Sequence, residues 1–133
     1  MNKRIFIVLI VALTNLLLSC DPDHNIDFVN KSNYEAKIKI NLNSNNENYD
    51  LKQNAIGDSI VFYLKKDSIA NIDFGIGLWN KKEINEIVRT IKNIEIETKD
   101  VKTIYKTEKS MNEILYNNVK GVFMKTNIQI EIK

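Results

Sequence analysis

Scarcity guides the first reading of this 133-residue chain, which has one cysteine, one histidine, one proline, one tryptophan and four glycines. A single cysteine, Cys20, excludes a disulfide framework and any thiolate metal cluster, since both need cysteines in sets. Arginine is almost missing: after Arg4 only Arg89 remains, with lysines scattered along the chain. That excludes the arginine-rich stripe by which proteins engage phosphate backbones, so no nucleic-acid partner is expected. No nucleotide-binding glycine loop is complete either, because Gly75-Ile76-Gly77 lacks the third glycine and a following helix start. A bulged strand or a close backbone approach explains these glycines better. No metal and no cofactor is expected. The length allows one domain.

Long apolar runs are equally scarce, and the single one stands at the N-terminus. Lys3 and Arg4 are followed by the stretch Ile5 to Leu18 and then by Ser19-Cys20. Fourteen helical residues reach about 21 Å, short of the roughly 30 Å hydrocarbon core of a bilayer, and Thr14 and Asn15 interrupt the run. A removable export signal over 1–19 fits better than a permanent span. Leu17-Leu18-Ser19-Cys20 resembles a lipobox, which implies cleavage before Cys20 and acylation of its sulfur. Two or more acyl chains on one residue give stable membrane attachment where a single chain does not. Once Lys3 and Arg4 leave with the signal, 17 basic residues face 17 acidic ones, so the chain at work is neutral. Residues 20–25 then read as the lipidated cysteine with a short polar tether, and 26–133 as one β-rich domain.

Within that domain, period-two alternation is the main signal. Tyr34, Ala36, Ile38, Ile40 and Leu42 alternate with Glu35, Lys37, Lys39 and Asn41, the pattern of a half-buried strand. Residues 60–65 are apolar on both faces, as in a central or helix-covered strand. Strands are also expected over 72–78, 94–98, 101–106, 119–125 and 127–132, whereas 44–48 reads as a loop and 49–59 is ambiguous. One helix is expected over 81–92, since Ile84, Ile87, Val88 and Ile91 fall at i, i+3, i+4, i+7. Asn80 can cap it, Glu83 stands at the capping-box position, and Trp79 before the cap can staple onto Ile84. A second helix is expected after Ser110, with Ser110 and Glu113 as its box. These elements predict a mainly β (α+β) fold: an antiparallel β-sandwich-like sheet with one or two short helices packed on it.

The signal ending in Ser19-Cys20, the segment Ile26-Asp27-Phe28-Val29-Asn30-Lys31-Ser32 and the Ile/Asn/Lys-rich alternation together resemble the small lipoproteins of Bacteroidetes. The resemblance implies attachment to the cell envelope, commonly the outer membrane on its periplasmic or surface face, and a β-rich domain. It supplies no catalytic residues. Asp-Ser-Ile occurs twice, at 58–60 and 67–69. It resembles the acceptor for periplasmic O-glycosylation in that group, with Ser59 and Ser68 as acceptors, although Asp-Ser pairs also open strands through local turns.

Other chemistry is thin. Asp21, Asp23, Asn25 and Asp27 have the every-second-residue spacing of a calcium loop, but Ile26 stands where glycine is needed and Ser32 where a bidentate glutamate is needed. His24 is expected to be exposed in the tether. Glu95 and Glu97 project from one strand face about 6.5–7 Å apart, a separation that paired-carboxylate glycosidases use. Tyr34, Tyr49, Tyr63, Tyr105 and Tyr116 are expected mainly at the core rim, and as contacts where exposed. The expected function is a non-enzymatic binding or structural module, lipid-anchored in the bacterial envelope, with an envelope protein or glycan as partner; the alternative is an envelope hydrolase using the paired carboxylates.

Overall fold

The computed structural model describes residues 22–121 and 124–133. Residues 1–19, read above as an export signal, lie outside the described residues together with Cys20 and Asp21. Eight strands form two four-stranded sheets: β1 (Asp23–Asn30), β4 (Ile69–Ile76), β7 (Val119–Lys120) and β8 (Asn127–Ile132) in one, and β2 (Ala36–Leu42), β3 (Ser59–Leu64), β5 (Ile91–Glu97) and β6 (Lys102–Tyr105) in the other. Their orders are β4-β1-β8-β7 and β3-β2-β5-β6. Three helices, α1 (Tyr49–Gln53), α2 (Lys81–Thr90) and α3 (Glu108–Tyr116), complete the α+β sandwich-like fold. The inner sheet faces supply one shared core: Ile26 and Phe28 of β1, Ile72 of β4 and Ile128 and Ile130 of β8 meet Ile38 and Ile40 of β2, Ile60 of β3 and Ile94 of β5. Among the described residues, no helix is long and apolar enough to cross a membrane.

Pairing is antiparallel throughout except between β1 and β8, which run parallel from Asn25↔Asn127 to Asn30↔Ile132. The expected antiparallel character of the sheets holds, with this one parallel pair among the described strands. Strand β1 is itself an addition to the sequence reading, and its first three residues, 23–25, fall in the stretch read as a tether. The reason is His24, which is buried rather than exposed and heads the inner column of β1 above Ile26 and Phe28.

The alternation in 34–42 gives β2, with Ala36, Ile38, Ile40 and Leu42 inward. Residues 59–64 form a strand too, but at the sheet edge, with Val61 and Tyr63 facing water. The ammonium of Lys37 on the paired strand lies 5.6 Å from the Tyr63 ring centroid, which gives that outward aromatic a partner without a covering layer. The ambiguous stretch holds α1, capped by the Asn48 side chain accepting from the backbone N–H of Leu51 at 2.9 Å. Only Val119–Lys120 of the expected strand over 119–125 is paired, and residues 122–123 of that stretch lie outside the described residues.

Helix α2 starts as expected, the Asn80 side chain accepting from the N–H of Glu83 at 3.0 Å. It ends at Thr90 rather than 92, because Ile91 adopts extended backbone (φ −101°, ψ 132°) and enters β5 without a loop. Ile84, Ile87 and Val88 are buried. Helix α3 starts earlier than expected. Thr107 is its cap and Ser110 sits at the third helical position, the two exchanging side-chain and backbone hydrogen bonds as a capping box. Ser110 is therefore the reciprocal partner of the box, not its first member. Helices α2 and α3 pack on each other, and α3 lies against β8.

Candidate functional site

On the outer face of the β3-β2-β5-β6 sheet, cross-strand neighbours have opposite charge or matching amides: Lys37↔Glu97, Lys39↔Glu95 and Asn41↔Asn93. Glu95 and Glu97 share this face, as their spacing requires. Both converge on one cation, with Lys102 Nζ 3.0 Å from Glu95 Oε2 and 3.6 Å from Glu97 Oε2. Asn41 Nδ2 donates to Glu95 Oε1 at 3.0 Å and to Asn93 Oδ1 at 2.6 Å, and Ser59 Oγ donates to Asn41 Oδ1 at 2.8 Å. The structure thus joins two residues that the sequence left separate. Ser59 and Glu95 are members of one polar chain that takes a side chain from each of the four strands.

The hydrogen bond from Lys102, reinforced by its charge and by the Asn41 amide, holds the Glu95 carboxyl below the ordinary carboxylate range. The same bond raises the Lys102 ammonium above its ordinary value. General-acid work by a carboxyl needs the opposite shift, toward neutrality. The pair also carries a pH dependence of stability. Because the Glu95 value is depressed on folding, its contribution is complete above the unfolded glutamate value, near about 4.3, and is lost as pH falls through the lower folded value. Lys102 has the reverse sign, contributing fully below about 10.4 and losing that contribution as pH rises through its raised folded value. Glu95→Gln should therefore lower the urea midpoint slightly at pH 7 and by less at pH 2.5. Equal deficits at both pH values would show that the ion pair is not the source.

The two Asp-Ser-Ile serines open strands, as local turn chemistry favours. Ser59 is the first residue of β3, its hydroxyl engaged with Asn41. Ser68 immediately precedes β4 and donates to the Lys65 carbonyl at 2.6 Å, in a turn where Asp67 has φ +60°. Asp23, Asn25 and Asp27 lie along extended β1 rather than in a loop that wraps one ion, and among the described residues no three metal-ligating side chains gather at one point. Asp27 accepts instead from Asn71 at 2.7 Å and Asn127 at 2.9 Å. Tyr34, Tyr49, Tyr63 and Tyr116 are exposed; only Tyr105 packs on the core rim.

Sequence reasoning missed the surroundings of His24. Its ring is 3.9 Å from that of Trp79 and 6.1 Å from that of Phe74, centroid to centroid. Two glycines make this packing fit. Between the pairs Asp23↔Ile76 and Asn25↔Asp73, β4 carries one residue more than β1, a bulge containing Gly75 at φ +78°. A Cβ on Gly77 would stand 2.9 Å from His24 Nδ1, so only glycine admits the ring there. The glycine pair was the signal available in the sequence. Trp79 is fixed by its indole N–H, which donates to the Asn25 carbonyl at 3.0 Å.

Comparison with protein-family models, with curated proteins and with solved structures returned no match.

Proposed function

We propose that this chain is a lipid-anchored protein of the bacterial cell envelope, held at the outer membrane through acylated Cys20 and serving as a non-enzymatic binding or structural module for an envelope protein or glycan. The observation that carries the reading is the position of the sole cysteine, directly after an apolar run too short to span and in a Leu-Leu-Ser-Cys setting. The fold supports it. With β1 starting at Asp23, three residues after Cys20, the domain rides within about 11 Å of its lipid, close against the bilayer. The engagement of both Glu95 and Glu97 by Lys102 favours the module over the hydrolase. For O-glycosylation, a glycan on either serine gives up one hydrogen bond, to Asn41 from Ser59 and to the Lys65 carbonyl from Ser68; Ser68 is the better acceptor because it stands in a turn outside the strands, whereas Ser59 is paired within β3.

Intact mass of the protein from the membrane fraction tests the anchor. The expected species lacks residues 1–19 and carries acyl chains on Cys20. Retention of 1–19, or a Cys20 without lipid, overturns the reading. Any further mass from a glycan should disappear in Ser68→Ala and persist in Ser59→Ala.

A further inference from the structure

At the end of the sandwich where β1 begins, a cavity of about 660 Å³ opens between α1 and α2. That lies within the range of small-molecule sites. Glu47 and Asp50 line it from the α1 side and Glu83 and Glu86 from α2, with His24 and Phe74 among the β-strand residues of its wall. No lysine or arginine lines it, and the one nearby ion pair, Lys82 to Glu86 at 4.0 Å, lies on the exposed surface of α2. Four carboxylates, of which only Glu86 lies within 4.0 Å of a lysine, make a negative concavity, which draws positive ligands.

Charge alone would leave the ligand open, and His24 narrows it. The residue is 6% exposed, and its Nε2 has no hydrogen-bond partner among the described residues. Buried polar atoms are normally paired, so an orphan at a cavity wall marks the place of a missing partner. The nearest charged group is Glu83 Oε2 at 3.9 Å, too far for a direct hydrogen bond but close enough for one N–H donor group to reach both atoms. With the ring proton on Nδ1, Nε2 is an acceptor like the carboxylate, and the group that satisfies both is a donor, best a cationic one. Among the described residues no three metal-ligating side chains close around a single point, so the carboxylates are distributed as for an extended ligand rather than one ion. The half-buried Phe74 ring and the apolar Ile87 beside it suit an aliphatic stem.

We propose that this cavity binds an aliphatic polyamine, one ammonium held between Glu83 and His24 Nε2 and another by Glu47 and Asp50. The proposal gives the binding-module reading a ligand class and rests on it. Its test is a titration of the purified chain, which a failure of the lipid anchor would leave unchanged.

The sole tryptophan, its ring tilted against that of His24 at 3.9 Å, is the natural reporter. The full chain in detergent, at about 0.15 M salt to screen loose surface association, is titrated with spermidine while Trp79 fluorescence is followed. A saturable change is expected. Glu83→Gln, at a position 39% exposed where the fold does not depend on the charge, should weaken binding about three- to tenfold, and Glu47→Gln with Asp50→Asn should do the same. Butylamine, with one ammonium, should bind at least about tenfold more weakly than spermidine. The proposal fails if there is no saturable change or if the variants bind as tightly as wild type. It fails equally if magnesium at matched ionic strength displaces spermidine, or if tetralysine binds in preference to it.

Discussion

Phe28→Ala is expected to lower the free energy of unfolding by about 3–5 kcal/mol, the largest effect of any single truncation in this fold. Phe28 is fully buried in β1, a strand with neighbours on both sides, opposite Ala70 on β4 and Ile130 on β8. The small Ala70 opposite gives the ring its room. Urea titration of the variant beside wild type measures the loss. A deficit below about 1 kcal/mol would mean that the site collapses around the cavity or that the ring is not buried.

Asn30→Ala should cost about 2–4 kcal/mol although it removes no apolar surface of note. The residue is fully buried and every polar group on it is engaged. Its side-chain Nδ2 donates to the carbonyls of Tyr34 at 2.7 Å and Leu64 at 2.8 Å, while Oδ1 accepts from Ser32 N–H at 3.0 Å and Ser32 Oγ at 2.7 Å. Its backbone N–H donates to Ser68 and its carbonyl accepts from Asp67. One side chain thus ties the β1–β2 connection to the end of β3, where the chain passes between sheets. Alanine would strand the Leu64 carbonyl and the Ser32 N–H, each costing about 1–3 kcal/mol if water cannot reach it. Asn30→Asp tests the same network differently, because a carboxylate keeps the acceptor and loses both donations to carbonyls. Urea midpoints within error of wild type for both variants would show that solvent replaces the asparagine.

What the sequence disclosed follows from how local each cause is. Strand β2 was legible because its inner and outer faces alternate without exception from Ala36 to Leu42, and α2 because its cap and its apolar stripe agree. Strand β1 was not legible because both ends of its inner column are polar, His24 at the start and Asn30 at the end, while Val29 on its outer face is buried. Those polar residues are tolerated only through partners far away in the chain: Trp79 and Phe74 for His24, Leu64 for Asn30. The edge position of β3 was hidden for a similar reason, since Val61 and Tyr63 read as buried until strand order is known. The acidic cavity escaped because its carboxylates come from separate elements, each an ordinary solvated residue in its own segment. Glu95 and Glu97 were placed correctly on one face, but their common counter-ion belongs to the next strand, β6.

The parallel pairing of β1 with β8 bears on how the chain reaches this state. Asp27 and Asn127, hydrogen-bonded neighbours across that pair, are 100 residues apart in sequence. Until β8 emerges and inserts between β1 and β7, the sheet containing β1 and β4 ends in an unpaired edge that exposes the Phe28 column. Ring closure over so long a chain is entropically slow, and folds dominated by such pairings take milliseconds to seconds rather than microseconds. A nascent polypeptide of this topology therefore stays open until nearly all of it has been synthesised.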